Sequence, residues 1–120
     1  MNKLIYVCSP YRGEVERNKK YARYAGEYLI NRGDIPIIPH LYITEILNDD
    51  NPQERRKGMN ICKQLIDKCE ELIIFCNYGI SKGMYEEIKY AEEHCKKISY
   101  LALKNKNNKV TKEKKPNEEK

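Results

Sequence analysis

Apolar residues follow two patterns along this chain: short continuous runs, and stripes at helical spacing. Three continuous runs predict buried strands: "KLIYVC" (3–8), "ELIIFC" (71–76) and "KISYLAL" (97–103). A shorter run, "IPII" (35–38), predicts an edge strand or a strand start, because Pro36 has no backbone N–H to give to a ladder. Continuous apolar strands are typical of parallel sheets that are covered on both faces.

Helical stripes fill the intervals between these runs. The first predicted helix covers about 14–32, and Gly33 is placed to end it. Its inward stripe has one polar member, Asn18, at the spacing of its apolar neighbours. A last helix is predicted from Gly83 to about 96, whereas the segment 39–47 is ambiguous and a short helix is one interpretation of it.

The middle helix has a sharp predicted start at "NPQE". Asn51 can cap it, Pro52 suits its first position, and Glu54 suits a capping box. This helix is predicted to extend to about 68.

Strands and helices therefore alternate, which predicts an α/β fold with a parallel sheet between two layers of helices. In such sheets a ligand binds beyond the carboxyl ends of the strands. That rule selects three segments, "SPYRG" (9–13), "PHLY" (39–42) and "NYGISKG" (77–83).

Composition limits the other possibilities. A length of 120 residues suits one domain, and the net charge of +5 comes mainly from residues 104–120, which carry seven lysines and three glutamates. We predict a domain at 1–103 and a lysine-rich, disordered tail at 104–120. A tail without interleaved aromatic residues gives little support to nucleic-acid binding.

Five cysteines, at positions 8, 62, 69, 76 and 95, include no C-x-x-C pair. We therefore predict neither disulfides nor a metal site, but buried thiols in a reducing cytoplasm. No apolar run is long enough for a signal peptide or a membrane span, so a cytoplasmic location is predicted.

The stretch "SKGMYEEIKYA" (81–91) holds two adjacent glutamates with different surroundings. At about 100° per residue, one apolar face collects Met84, Ile88, Ala91 and Cys95. Glu86 points away from this face, whereas Glu87 borders it in the first helical turn. An inward carboxylate there can serve as a nucleophile or a general acid/base, or it can simply pair with a lysine or favour the helix dipole.

Together, "IYVCSPYRG" (5–13) and "SKGMYEEIKYA" resemble the nucleoside 2-deoxyribosyltransferase superfamily, in the pattern G-x-x-x-E-x-x-x-A formed by Gly83, Glu87 and Ala91. The likeness extends over about 3–103 and is nearest to the branch that hydrolyses nucleoside 5′-monophosphates. It implies a Rossmann-like (flavodoxin-like) three-layer fold with a mostly parallel sheet of about four strands. It also implies that Glu87 attacks the anomeric carbon and that Tyr6 holds this glutamate and the sugar.

Further binding residues follow from the same resemblance. Arg12 and Ser81 match phosphate-contacting positions, and His40 matches a histidine near the base. A guanidinium fork and a helix amino terminus also suit phosphate on chemical grounds. The complete set of candidate substrate- or phosphate-binding residues is Ser9, Arg12, Gly13, Asn18, His40, Ser81 and Gly83.

One feature of the family has no clear match, an aspartate that carries the proton for the leaving base. Met59 or Asn60 falls near that position, and Asp49, Asp50 or Asp67 are substitutes. Two functions therefore stand: an N-glycosidic-bond hydrolase or (deoxy)ribosyltransferase, and a non-catalytic module that senses or sequesters a nucleotide-derived ligand. The resemblance implies a small nucleotide or nucleoside partner and a homo-oligomer, with no organic cofactor.

Overall fold

The structure, a computed structural model, describes residues 2–104 and the backbone of residues 110–113. Within these residues the order of elements is β1 (Leu4–Cys8), α1 (Val15–Asn31), β2 (Ile35–Ile37), a 3-10 turn (Pro39–Leu41), α2 (Ile43–Ile46), α3 (Pro52–Lys68), β3 (Glu71–Phe75), α4 (Lys82–Glu93), β4 (Lys97–Leu103) and β5 (Val110–Glu113). The ambiguous segment 39–47 thus forms the 3-10 turn and the short helix α2.

One sheet joins the strands in the order β2-β1-β3-β4-β5. The first four strands are mutually parallel, and β5 is antiparallel to β4. Tyr6 pairs in register with Ile37 on one side and with Leu72 on the other, so β1 lies inside the sheet. The predicted α/β three-layer fold with a mostly parallel sheet is confirmed.

Apolar side chains from β1 alternate between two cores, because successive strand residues point to opposite faces. Tyr6 and Cys8 pack with α3 and α4 on one face. Ile5 and Val7 pack with α1 on the other face. This alternation explains why the run is apolar throughout, and it directs Tyr6 toward the helix that carries Glu87.

Helix ends follow the expected chemistry at two places. The Asn51 side chain caps α3 by accepting hydrogen bonds from the backbone N–H groups of Gln53 and Glu54, at 3.0 and 3.1 Å. Gly33, just after α1, has φ of +93°, the left-handed conformation that glycine adopts without steric cost. The capping-box role of Glu54 is wrong, because its carboxylate accepts from the N–H of Asn48 at 2.7 Å, further back along the chain.

Two other expectations need correction. α4 ends at Glu93, and Cys95 follows it with φ of +57° and an exposed side chain, so this thiol is not part of the buried helix face. Cys8, Cys62 and Cys69 are buried as expected, and Cys76 is half-buried.

The fifth strand lies in the segment that we expected to be a disordered tail. The backbone of Val110–Glu113 pairs with β4, from Leu103↔Val110 to Tyr100↔Glu113. The rest of that segment, 105–109 and 114–120, lies outside the described residues. None of the helices in the described part of the chain is long and apolar enough to cross a membrane.

Candidate active site

A cavity of about 270 Å³ opens beyond the carboxyl end of β1. Its walls come from the segments after β1 and β2 and from the first turns of α3 and α4. All three loops that the strand order selects contribute to it. Among the candidate residues, those that line the cavity are Ser9, Arg12, His40, Ser81, Gly83 and Glu87.

Glu87 occupies the inward position that its helical phase predicts. Glu87 is buried, with 7% of its surface accessible, whereas the neighbouring Glu86 is exposed to solvent. The Tyr6 O–H donates a hydrogen bond of 2.8 Å to Glu87 Oε2. Burial raises the pKa of Glu87 to about 7 from its ordinary 4.5, although the hydrogen bonds from Tyr6 and Cys8 oppose that rise. The carboxylate is therefore poised to change its charge near neutral pH.

Tyr6 lies beneath Glu87 and does not itself line the cavity. Its side chain is 1% exposed, and burial, reinforced by the Glu87 charge, raises its pKa well above the ordinary value. The phenol therefore stays protonated and remains a hydrogen-bond donor. Tyr6 thus fixes the orientation of the Glu87 carboxylate through one of its two oxygens.

Two buried side-chain oxygens at this site have no hydrogen-bond partner among the described residues, Ser9 Oγ and Glu87 Oε1. The Cys8 thiol lies near the carboxylate, yet a thiol is a weak donor, and Cys8 Sγ is 4.0 Å from the Met84 carbonyl oxygen. Buried polar atoms are nearly always paired in native proteins. Two exceptions that line one cavity are therefore candidates for contact with a ligand.

The amino-terminal end of α4 forms one side of the cavity. The Ser81 hydroxyl accepts a hydrogen bond of 3.2 Å from the Met84 N–H and so caps the helix. The N–H groups of Lys82 and Gly83 belong to the first turn, where no helical carbonyl is available to accept them. An anionic group near these N–H groups gains from both the donors and the helix dipole.

Arg12 lies across the mouth of the cavity. Its guanidinium is 3.4 Å from a carboxylate oxygen of Asp49 and 3.4 Å from one of Asp50, and its side chain is 54% exposed. Ion pairs of that length and exposure contribute little to stability. Arg12 can therefore exchange these partners for a phosphate with little loss of free energy.

The three substitute aspartates occupy different environments. Asp49 lines the cavity, whereas the Asp50 side chain is 85% exposed. Asp67 accepts a hydrogen bond of 2.7 Å from the Tyr90 O–H and does not line the cavity. Asp49 is thus the substitute whose position allows contact with a bound ligand.

His40 contributes an imidazole to the wall opposite α4. Its Nε2 is 2.9 Å from the Ser9 carbonyl oxygen, and its ring lies 5.3 Å from that of Tyr11. Burial lowers the pKa of His40, which favours the neutral ring. The Nε2–H of the neutral ring then donates its hydrogen bond to the Ser9 carbonyl oxygen, which places the ring proton on Nε2.

Gly13 and Asn18 do not line the cavity. Gly13 is exposed and has φ of +92°, so it allows the chain to turn into α1. Asn18 is buried, and its Nδ2 donates to the carbonyl oxygens of Tyr11 and Arg12 at 3.0 and 3.2 Å. Both residues shape the loop that presents Arg12, Gly13 through its backbone conformation and Asn18 through its two hydrogen bonds.

Several lining residues were not among the sequence candidates. Tyr11 belongs to the loop after β1, and others come from α2, α3 and the segment between them: Ile43, Thr44, Leu47, Arg55, Met59 and Cys62. No motif marks the residues of this second group, since they reach the cavity only because α2 and α3 pack beside β1. One of these residues could have been found from the sequence. Arg55 lies near the start of the helix that follows the second strand, and the strand order predicts the cavity at that end of the sheet.

In the described part of the chain, no group of three or more His, Cys, Asp or Glu side chains could hold a metal ion. The cavity lining offers a carboxylate, hydroxyls, an imidazole and the amino-terminal end of a helix.

Comparisons with known proteins agree with this architecture. A family model described as "Domain of unknown function (DUF7768)" matches residues 3–101. No curated protein matches the sequence.

Among solved structures, a 2-deoxyribosyltransferase from Bacillus psychrosaccharolyticus is similar with a TM-score of 0.68 and 16% identity, covering 86% of this chain and 74% of that enzyme. The 2-deoxyribosyltransferase from Leishmania mexicana gives 0.58 and 17%, covering 91% and 78%. The CMP N-glycosidase BcmB from Clostridium botulinum gives 0.53 and 20%, covering 88% and 73%. At these identities the similarity establishes a shared fold, which confirms the fold that the sequence motifs implied.

Proposed function

Because this chain belongs to the family described as "Domain of unknown function (DUF7768)" and has the fold of nucleoside 2-deoxyribosyltransferases, we propose that it cleaves the N-glycosidic bond of a nucleoside 5′-monophosphate. The sugar passes to water or to another acceptor. Two of the similar structures are named as 2-deoxyribosyltransferases and one as a CMP N-glycosidase, so both outcomes are consistent with the fold.

One observation carries this proposal. Glu87 is a buried carboxylate that lines a cavity of ligand size, and Tyr6 holds one of its oxygens at 2.8 Å while the other has no hydrogen-bond partner among the described residues. Such a group is oriented, partly desolvated and has a pKa of about 7, which are the properties that favour a nucleophile at neutral pH. A glutamate that served only the helix dipole would gain nothing from burial.

The proposed reaction has two steps. Glu87 Oε1 bonds to the anomeric carbon as the C–N bond breaks, and the base leaves with the bonding electrons and takes up a proton. Water then attacks the glycosyl ester, which releases the sugar phosphate and restores the carboxylate. Asp49, which lines the cavity, is the available donor for the departing base.

The chemistry of the cavity mouth supports the choice of a phosphate-bearing substrate. The free N–H groups at the start of α4, the Ser81 hydroxyl and the Arg12 guanidinium all offer donors to phosphate oxygens. With the phosphate there, the sugar lies over Glu87, and the base extends toward Ile43, Leu47 and Met59 on the apolar wall.

The test is base release from a panel of ribonucleoside and 2′-deoxyribonucleoside 5′-monophosphates, measured by chromatography. Wild-type protein should release base from at least one of them. Glu87→Gln should lower that rate by roughly 10³-fold or more, as losing a nucleophile does in other enzymes. Glu86→Gln is the matched control, because Glu86 is the exposed neighbour on the same turn, and it should retain wild-type activity.

The alternative function, a nucleotide-binding module without catalysis, is favoured by one observation. Asp49, the substitute aspartate that lines the cavity, already has Arg12 as an ion-pair partner at 3.4 Å, so the match to the family's proton carrier is incomplete. Tight nucleotide binding with no base release, in wild type and Glu87→Gln alike, would establish this alternative and exclude the enzyme.

A further inference from the structure

The Cys8 thiol lies on the same face of β1 as Tyr6. Side chains two residues apart in a strand point the same way, and both residues belong to the core cluster that contains Met84 of α4. Cys8 is fully buried. Since the Tyr6 O–H reaches Glu87 Oε2 at 2.8 Å, the next position on this face of the strand also lies against α4.

Two acceptors on α4 are within reach of this thiol. Cys8 Sγ is 4.0 Å from the Met84 carbonyl oxygen, and the thiol also hydrogen-bonds the Glu87 carboxylate. Met84 and Glu87 are three residues apart, so they are neighbours on one face of the helix. The contact with the carboxylate is weak, because a thiol is a poor donor and Glu87 Oε1 has no hydrogen-bond partner of ordinary geometry among the described residues.

The charge of Glu87 decides which of the two acceptors is the stronger. Burial raises the pKa of this carboxyl group to about 7, so its charge changes near neutral pH. An ionised carboxylate accepts a hydrogen bond more strongly than a neutral carbonyl oxygen does. Burial, reinforced by the Glu87 charge, raises the pKa of the Cys8 thiol well above its ordinary value, so the thiol keeps its single hydrogen over the whole range.

The other groups around Glu87 differ from Cys8 in what they do. From β1, Tyr6 holds Oε2 with a short hydrogen bond, and it lowers the Glu87 pKa more than Cys8 does. From α3, Cys62 stays neutral because burial raises its pKa to about 12. On α4 itself, the like charge of Glu86 raises the Glu87 pKa. Cys8 is thus the weaker of two donors that favour the ionised carboxylate.

We propose that Cys8 is a positioning residue for Glu87, whose single weak donor steadies the carboxylate without stabilising its charge enough to suppress attack on the sugar. This inference rests on the proposed function, because it takes Glu87 as the nucleophile. A strong donor at the same place would favour the ionised form and make it less reactive, since hydrogen bonds to charged groups are worth more than those to neutral groups. A side chain without a donor would leave the charge to Tyr6 alone.

The experiment replaces the thiol with a stronger donor and with none. Serine and alanine are nearly equal in volume, so the comparison of Cys8→Ser with Cys8→Ala isolates the hydroxyl. The pH profile of kcat/KM for base release gives the midpoint for Glu87. The midpoint in Cys8→Ser should be lower than in Cys8→Ala by about 1 pH unit, with wild type between them. Above its midpoint, Cys8→Ser should release base more slowly than wild type.

Urea unfolding measures the same change without any activity. A lower Glu87 pKa in folded Cys8→Ser makes ionisation less costly, so the stability of Cys8→Ser relative to Cys8→Ala should rise as pH increases through the midpoint. The same comparison in the Glu87→Gln background should not depend on pH. A hydroxyl that served only packing would give a constant difference in both backgrounds.

Infrared spectroscopy observes the thiol itself. The S–H stretch of Cys8 is isolated by subtracting the spectrum of Cys8→Ala from that of wild type. This band should move to lower frequency as pH rises through the Glu87 midpoint, because the hydrogen then bonds a stronger acceptor. In Glu87→Gln the band should stay in place.

A matched control is the pair Cys69→Ser and Cys69→Ala. Cys69 is buried in the same core cluster, it does not line the cavity, and the charges that act on its thiol are those of Lys96 and Glu70. Both variants should keep the wild-type midpoint.

The outcomes separate this inference from the proposed function. Equal midpoints in Cys8→Ser and Cys8→Ala would overturn the inference, whether or not they differ from wild type, because a shift common to both reports only the lost bulk of sulfur. An S–H band that does not respond to pH would overturn it as well. Base release that persists in these cases would still support the proposed function. If wild type released no base, the proposed function would fail, and the unfolding and infrared data would still decide whether Cys8 acts on Glu87.

Discussion

Replacing the Glu87 carboxylate with an amide should stabilise the folded protein above neutral pH. Burial raises the pKa of this group to about 7 from 4.5. A carboxyl group whose pKa is higher in the folded state destabilises that state when it is ionised. The contribution of Glu87 to wild-type stability should therefore be most favourable below pH 4.5. It should fall as pH rises toward 7 and change little at higher pH.

The magnitude follows from the two pKa values. They differ by about 2.5, and each unit corresponds to about 1.4 kcal/mol, so ionised Glu87 costs about 3 kcal/mol. That is a large part of the 5–15 kcal/mol that stabilises an ordinary domain. In Glu87→Gln the Tyr6 O–H still has an amide oxygen to bind, so the variant avoids the cost at high pH at the expense of one buried amide N–H₂ group.

The assay is urea unfolding of wild type and Glu87→Gln at several pH values between 4.5 and 8.5. The variant's free energy of unfolding, relative to wild type, should rise by about 3 kcal/mol across this range. Glu86→Gln is exposed and should show no such rise. The same relative stability at pH 4.5 and pH 8.5 would refute the reasoning, because it would mean that Glu87 titrates alike in the folded and unfolded chains.

Two further predictions concern the same carboxylate. If ionised Glu87 attacks the sugar, base release should rise with pH through a midpoint near 7, and a pH profile of kcat/KM that is flat from 5.5 to 8.5 would contradict this role. Tyr6→Phe removes the larger of the two hydrogen bonds that oppose the rise in the Glu87 pKa, so the midpoint should move to higher pH and stability should fall by about 1–3 kcal/mol. Tyr21→Phe is the control, because the Tyr21 O–H donates a 2.6 Å hydrogen bond to Asn77 Oδ1 and its ring packs in the α1 core. Loss of the Tyr21 hydroxyl should weaken the fold without moving the midpoint of the pH profile. If the midpoint were also unchanged in Tyr6→Phe, Tyr6 would not influence the pKa of Glu87.

Local sequence patterns were enough to predict the strands of the sheet and the inward position of Glu87. The runs that form β1 and β3 are apolar because both faces of these strands are buried, and that signal survives in any single sequence. The inward position of Glu87 followed from helical phase relative to Met84 and Ile88, since α4 is regular over these positions.

Errors arose where a local signal competes with tertiary structure. Cys95 shares the phase of Met84, yet α4 ends two residues earlier, so phase no longer describes its direction. The strand β5 has lysine and threonine among its residues and no apolar run, and its pairing with β4 has no signature in sequence. Arg55 and Thr44 reach the cavity only through the packing of α2 and α3, which no single helix encodes.

The alternation of β1 between two cores limits how this protein can change its length. Tyr6 and Cys8 face α3 and α4, whereas Ile5 and Val7 face α1. One residue inserted or deleted ahead of Tyr6 would exchange the two sets, turning the phenol toward α1 and an aliphatic side chain toward Glu87. Substitutions in this strand can be gradual, but a single-codon insertion or deletion would remove the glutamate's hydrogen-bond donor and repack both cores at once. Directed-evolution libraries that vary length should therefore spare 4–8.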